Sequence, residues 1–156
     1  LSKCVLSVNP HAKVAILSQN DDFVRDLLAP FKKVLADAGG KASVVAAASY
    51  DLTEPTVDSQ LINLSKSGAD VFYNITTGKA TSQSIRKVAE LGWKPLHLLS
   101  AGSTGRSILD AAGLENAKGI VSIAYGKDIG APRYATDPAV RAAEALRPKG
   151  LTTAPR

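Results

Sequence analysis

Apolar positions in this chain fall into short unbroken runs, and longer stretches of helical spacing lie between them. Residues 14–17 (VAIL) form an apolar run of strand length, followed by Ser18-Gln19-Asn20 and then Asp21-Asp22, either of which can cap a helix. Phe23, Leu27, Phe31, Val34 and Ala38 recur three or four apart, which predicts a helix with one apolar stripe. Pro30 falls inside that helix and removes the hydrogen bond to the carbonyl of Asp26, so a kink is expected there. Gly39-Gly40 supplies a left-handed residue to stop the helix.

The unit then repeats. Residues 41–49 read as a second strand, and Thr56 is placed to cap a helix carrying Val57, Leu61 and Leu64. Residues 70–74 form a third strand, and a helix with Ile85, Val88 and Ala89 stops at Gly92. Residues 95–99 form a fourth strand, residues 106–112 a short helix ending at Gly113, and residues 119–124 a fifth strand. Ahead of all this, residues 1–8 read as a helix end with Val5 and Val8 on one side, stopped by Asn9-Pro10. Pro132 and Pro138 bracket an irregular segment, residues 139–146 read as a last helix, and residues 147–156 as a frayed tail. The strand starts lie about 25 residues apart, the rhythm of βα repeats. The predicted fold is α/β, a single doubly wound sheet of five parallel strands with helices on both faces, occupying residues 1–146.

Composition narrows the function classes. The chain has 156 residues, 45% hydrophobic and 21% charged, enough for one domain with a sizeable core. Its net charge of +5 comes from Lys and Arg scattered over helix faces, with Arg133, Arg141, Arg147, Lys149 and Arg156 toward the end. No basic block is interleaved with aromatics, so nucleic acid is not an expected partner. Cys4 is the single cysteine, which excludes an internal disulfide and is expected as a packed helical thiol. No apolar run approaches the length of a membrane span. The chain has neither a methionine nor a signal peptide, and the expectation is a piece processed or cut from something longer.

In open α/β sheets, ligands bind at the carboxyl ends of the strands. That rule singles out residues 18–21 with Asn20, residues 74–78, residues 100–105 with Ser100, and residues 125–128 with Tyr125. These loops offer hydroxyls, amides and backbone N–H groups at helix starts, a chemistry suited to a small anion. They offer no nucleophile with its base, so no catalytic residue is assigned. His11 and His97 have no metal-ligand spacing around them and read as structural, and no metal or cofactor is expected. No glycine-rich nucleotide motif occurs. Asp21-Asp22 with Lys127 suggests a phospho-acceptor receiver, but the third strand ends in Tyr73-Asn74, without the acceptor carboxylate.

Five stretches carry a resemblance: KVAILSQNDDF (13–23), YDLTEPTVDSQL (50–61), KSGADVFYN (66–74), AELGWKPLHLLS (89–100) and AAGLENAKGIVS (111–122). Together they resemble the type I periplasmic solute-binding proteins of ABC importers for branched-chain amino acids and related organic acids. The resemblance covers the second, C-terminal lobe of a two-lobed receptor and implies half of a cleft that closes on its solute. It implies a periplasmic or extracytoplasmic location, a small carboxylate-bearing solute, a membrane permease as partner, and no enzymatic activity. By position it assigns Phe23 to the solute's apolar part, and Thr76, Thr77 and Gly78 to its carboxylate or polar tail. Amino-acid binders of the family carry an acidic residue in the strand-four loop, where this chain has Gly102 flanked by Ser103. A buried ammonium needs a paired charge, so the expected solute is an acid without an amino group, such as an aromatic or branched keto acid. The alternative is a stand-alone single-lobe interaction or regulatory module, which would form a homodimer to cover its half-cleft.

Overall fold

The structure is a computed structural model that describes residues 1–39, 41–127 and 132–146, apart from the side chain of Phe23. Gly40, Asp128 and the expected tail at 147–156 lie outside the described residues. In chain order the elements are α1 (Ser2–Val8), β1 (Lys13–Gln19), α2 (Asp22–Asp37), β2 (Ser43–Tyr50), α3 (Asp58–Ser65) and β3 (Val71–Ile75). There follow α4 (Gly78–Glu90), β4 (Leu96–Leu99), α5 (Arg106–Ala112), β5 (Val121–Ser122) and α6 (Pro138–Ala145). Two compact units divide the chain, Leu1–Ile123 and Ala124–Arg156.

The first unit holds one sheet, in the order β2-β1-β3-β4-β5, with every pairing parallel. From β1 the chain steps outward to β2, then returns past β1 to β3 and continues the other way. Parallel crossovers keep one hand, so reversing direction moves the connecting helices to the opposite face. Packing follows that rule. Val24, Phe31 and Leu35 of α2, with Val5 of α1, cover Val14, Ile16, Val71, Tyr73 and Leu98 on one face. Leu61 and Leu64 of α3 and Val88 of α4 cover Ala15, Leu17 and Phe72 on the other, where Ile85, Leu99 and Ala112 join α5 to the sheet. The two central strands are buried on both faces, which is why residues 14–17 and 71–73 read as unbroken apolar runs.

Several expectations shift. The buried stripe of α2 is Val24, Phe31 and Leu35, with Leu27 and Leu28 half-buried, one step round from the predicted stripe. The helix stays continuous through Pro30. On α1 Val5 is buried and Leu6 packs half-buried against the same core, while Val8 is 66% exposed and Cys4 is exposed rather than packed. A helix this short meets the sheet along one line of contact, so its other sides stay in water. Ala89 of α4 likewise faces solvent. Val57, not Thr56, is the N-cap of α3, and the Thr56 hydroxyl accepts from the Asp58 amide at 3.2 Å. The fifth strand shrinks to Val121–Ser122 because only Leu98 and Leu99 of β4 lie opposite it. Among the described residues, no helix is long and apolar enough to cross a membrane.

Candidate functional site

The strand order reverses between β1 and β3, and at such a switch point the loops leave in opposite directions and open a crevice. Gln19 closes β1 on one side of it, and Thr77, the N-cap of α4, stands on the other. A hydrogen bond spans the gap: Thr77 Oγ1 donates to Gln19 Oε1 at 2.6 Å. Gln19 turns its other end to Asp21, donating from Nε2 to Oδ2 at 2.6 Å. Asp21 is in turn the N-cap of α2, accepting the Val24 amide at 2.7 Å. Tyr50, at the end of β2, brings a third strand into this corner. Its hydroxyl accepts the Thr77 amide at 3.0 Å and lies 3.4 Å from Gln19 Oε1.

Gly78 has φ +52, a left-handed conformation open to glycine, and it turns the chain from Thr77 into α4. The first amides of α4, on Gly78, Lys79 and Ala80, have no carbonyl behind them in the helix. Thr77 does not cap them with its own side chain. Gly78 and Lys79 are exposed, so this end of α4 faces solvent with N–H groups that have no acceptor among the described residues, and with the positive end of the helix dipole.

Behind the rim the loops are tied down by buried polar contacts. Asn74 accepts the Thr76 hydroxyl at 2.6 Å and donates to Ser84 Oγ at 2.7 Å. Thr76 also meets Thr81 at 3.0 Å, and Ser103 donates to the Thr76 carbonyl at 2.6 Å. His97 completes the cluster from β4, 3.1 Å from Asn74 Nδ2, and burial pushes its pKa down to about 4.

The residues singled out from the sequence divide accordingly. Asn20, Thr77, Gly78, Ser100 and Gly102 reach the surface at the strand ends. Thr76 and Ser103 are buried and hold the rim from within. Phe23 sits in the first turn of α2, and its side chain lies outside the described residues. Tyr125 belongs to the second unit, where its ring is 84% exposed. In that unit Lys127 pairs with Asp137 and holds its carboxyl below the usual carboxylate range, and Asp137 caps α6. Sequence reasoning passed over Gln19 and Tyr50 as site residues. Gln19 lay in a stretch already marked, but nothing local in the sequence says that Tyr50 returns to the same corner. Among the described residues no group of His, Cys, Asp and Glu can hold a metal ion.

The family model described as periplasmic binding protein matches residues 5–150. The chain belongs to the periplasmic binding protein family. Members of this family are solute receptors rather than enzymes. Among solved structures, a substrate-binding periplasmic protein from Ralstonia solanacearum superposes with a TM-score of 0.76 at 16% identity, over 97% of this chain and 42% of that one. A branched chain amino acid ABC transporter periplasmic ligand-binding protein from Burkholderia xenovorans gives 0.72 at 13% identity, over 94% and 38%. An ABC transporter solute binding protein from R. palustris, in complex with benzoate, gives 0.71 at 17% identity, over 94% and 40%. The chain thus spans about two fifths of the length of these structures. No curated protein matches it.

Proposed function

We propose that this chain is the second lobe of a two-lobed extracytoplasmic receptor that captures a small organic acid for an ABC importer. The observation that carries this reading is the uncapped N-terminus of α4 beside the Gln19–Thr77 bridge. The free amides of Gly78 and Lys79 hold the solute's carboxylate without a metal or a basic side chain, since an anion at a helix N-terminus meets both N–H donors and the helix dipole. The shape of the solute is aromatic or branched, and the benzoate-bound neighbour supports an acid of that kind. Residue 102 is glycine where amino-acid binders of the family carry an acid, and the carboxylates of Asp21 and Asp51 already accept N–H donors from Val24, Gln19 and Asn20.

Closure of a partner lobe over the rim removes water from the carboxylate and strengthens its hydrogen bonds. The closed form presents a surface to a membrane permease, and no bond in the solute changes. A thermal-shift panel on the receptor with both lobes tests the reading. Benzoate or a branched-chain acid raises the melting temperature, and leucine and valine do not. Stabilisation by leucine or valine alone would sink it.

A further inference from the structure

A groove of about 340 Å³ runs between α4 and α5, beginning at Gly78. Its floor is built from small groups. Ala111 offers a methyl, and the buried Ser82 hydroxyl donates to the Ile108 carbonyl at 2.8 Å, which holds the two helices side by side. Lys79 and Arg86 line the groove from α4, both exposed and about 10 Å apart along the helix axis. Ser107 adds an exposed hydroxyl from α5, and no Asp or Glu is among the lining residues. Neither Lys79 nor Arg86 has an ion pair among the described residues. The carboxylates on the flanking helices face other cations. Asp110 accepts from Arg106 Nε at 2.8 and 3.0 Å. Asp58 and Glu90 flank Lys87 at 3.4 and 3.3 Å, in an adjoining hollow that Arg86 also lines.

We propose that this groove docks the importer's permease by taking an acidic, extended segment of it between Lys79 and Arg86. The inference rests on the receptor reading above and gives its partner contact a surface and a chemistry. A lone small anion would meet one exposed cation in water, an interaction worth little. An acidic segment meets both. About three residues of extended chain cover the distance between the two cations, so two carboxylates on one segment reach both side chains. The first contact then holds the second carboxylate at a high effective concentration. Arg86 is the anchor, because a guanidinium takes a carboxylate through two parallel N–H bonds, whereas Lys79 acts as a point charge. The groove ends at Gly78, so the docked segment lies beside the corner assigned to the solute.

The experiment titrates the two-lobed receptor with fluorescein-labelled hexaglutamate at physiological ionic strength. Beside it, stimulation of the importer's ATPase by the receptor is measured in proteoliposomes. Arg86→Glu sets a carboxylate against those of the segment, so peptide affinity falls at least about tenfold and ATPase stimulation is lost. Lys94→Glu makes the same change of charge at an exposed site ahead of β4, and both readouts stay near those of the unmodified receptor. Arg86 and Lys94 lie outside the solute corner, so both variants keep the thermal midpoint and the solute affinity of the unmodified receptor. Equal weakening of the peptide by the two variants overturns the proposal and leaves the receptor reading standing. So does an unmodified receptor that ignores hexaglutamate, or an Arg86→Glu variant that stimulates the ATPase in full. An unmodified receptor that binds none of the acids in the thermal-shift panel overturns the receptor reading itself, whatever the peptide does.

Discussion

Asn74 on β3 donates its side-chain amide to Nε2 of His97 on β4 across 3.1 Å, and both residues are enclosed between the sheet and α4. The other end of Asn74 accepts the Thr76 amide and hydroxyl, so its NH2 group is the end that meets the imidazole. Nε2 is therefore an acceptor and His97 is neutral. Phe72 packs against the same ring at 4.8 Å between centroids. Burial lowers the His97 pKa from 6.5 to about 4. The folded lobe thus binds this proton more weakly than the unfolded chain, and stability follows with a definite sign. It is complete above pH 6.5 and declines as pH falls through the window down to about 4, by about 3 kcal/mol in all. Urea unfolding at pH 7.5 and 4.5 measures the difference, and His97→Gln flattens it. An unmodified lobe equally stable at both pH values would show that His97 is not the buried neutral base described.

Asn74→Leu tests the polar cluster from its centre. The change leaves His97 Nε2 without its partner inside the lobe and the Thr76 hydroxyl with Thr81 alone. Stranded buried groups cost more than the lost bond itself, so a loss of at least about 2 kcal/mol in unfolding free energy is expected. Denaturant titration at neutral pH checks it, and a loss below about 0.5 kcal/mol would mean that water replaces the amide.

Asp21→Ala removes the cap of α2 and, with it, the group that orients Gln19. Loss of an aspartate N-cap costs about 1 kcal/mol, read as a lower thermal midpoint. The neighbouring Asp22 makes an exposed ion pair with Arg25 at 2.9 Å. Asp22→Ala therefore leaves the midpoint nearly unchanged, and equal losses in the two variants would contradict the capping assignment.

Gly78→Ala separates backbone strain from packing. No atom lies within 4 Å of a Cβ built there, yet φ is +52. An L side chain in that conformation costs about 1–2 kcal/mol, so the melting temperature falls although nothing is crowded. Gly102→Ala, also uncrowded and without a positive φ, is the control and leaves the midpoint in place. Equal midpoints for the two variants would remove the argument from conformation.

The repeat was legible because each βα unit carries its own local signals. Asp21, the periodic residues that follow it and a terminating Gly39 fix a helix from within a few turns of chain. Such signals place an element without resolving its rotation, which explains why the buried stripe of α2 lies one step from its expected place. The edges were less legible. Val121–Ser122 reads as a longer strand in the sequence, but strand length depends on the partner opposite, and β4 offers few residues. Of the candidate site residues, Thr77 and Gly78 follow from the fold rule, whereas Tyr50 does not, because the distance between positions 50 and 77 is closed only by the sheet.

The sequence by itself determined the parallel α/β architecture and which loops share the carboxyl edge, since apolar periodicity and glycine stops are local properties of the chain. Only the tertiary structure decided which side chains at that edge face outward. Thr76 and Thr77 are adjacent, yet one is sealed behind Asn74 and Ser103 and the other stands at the crevice. The direction in which the Thr77 hydroxyl donates depends on Gln19, 58 positions away, and on the carboxylate that orients it. Hydrogen-bond polarity is a property of the closed network, and the network exists only once β1, β2 and β3 lie side by side.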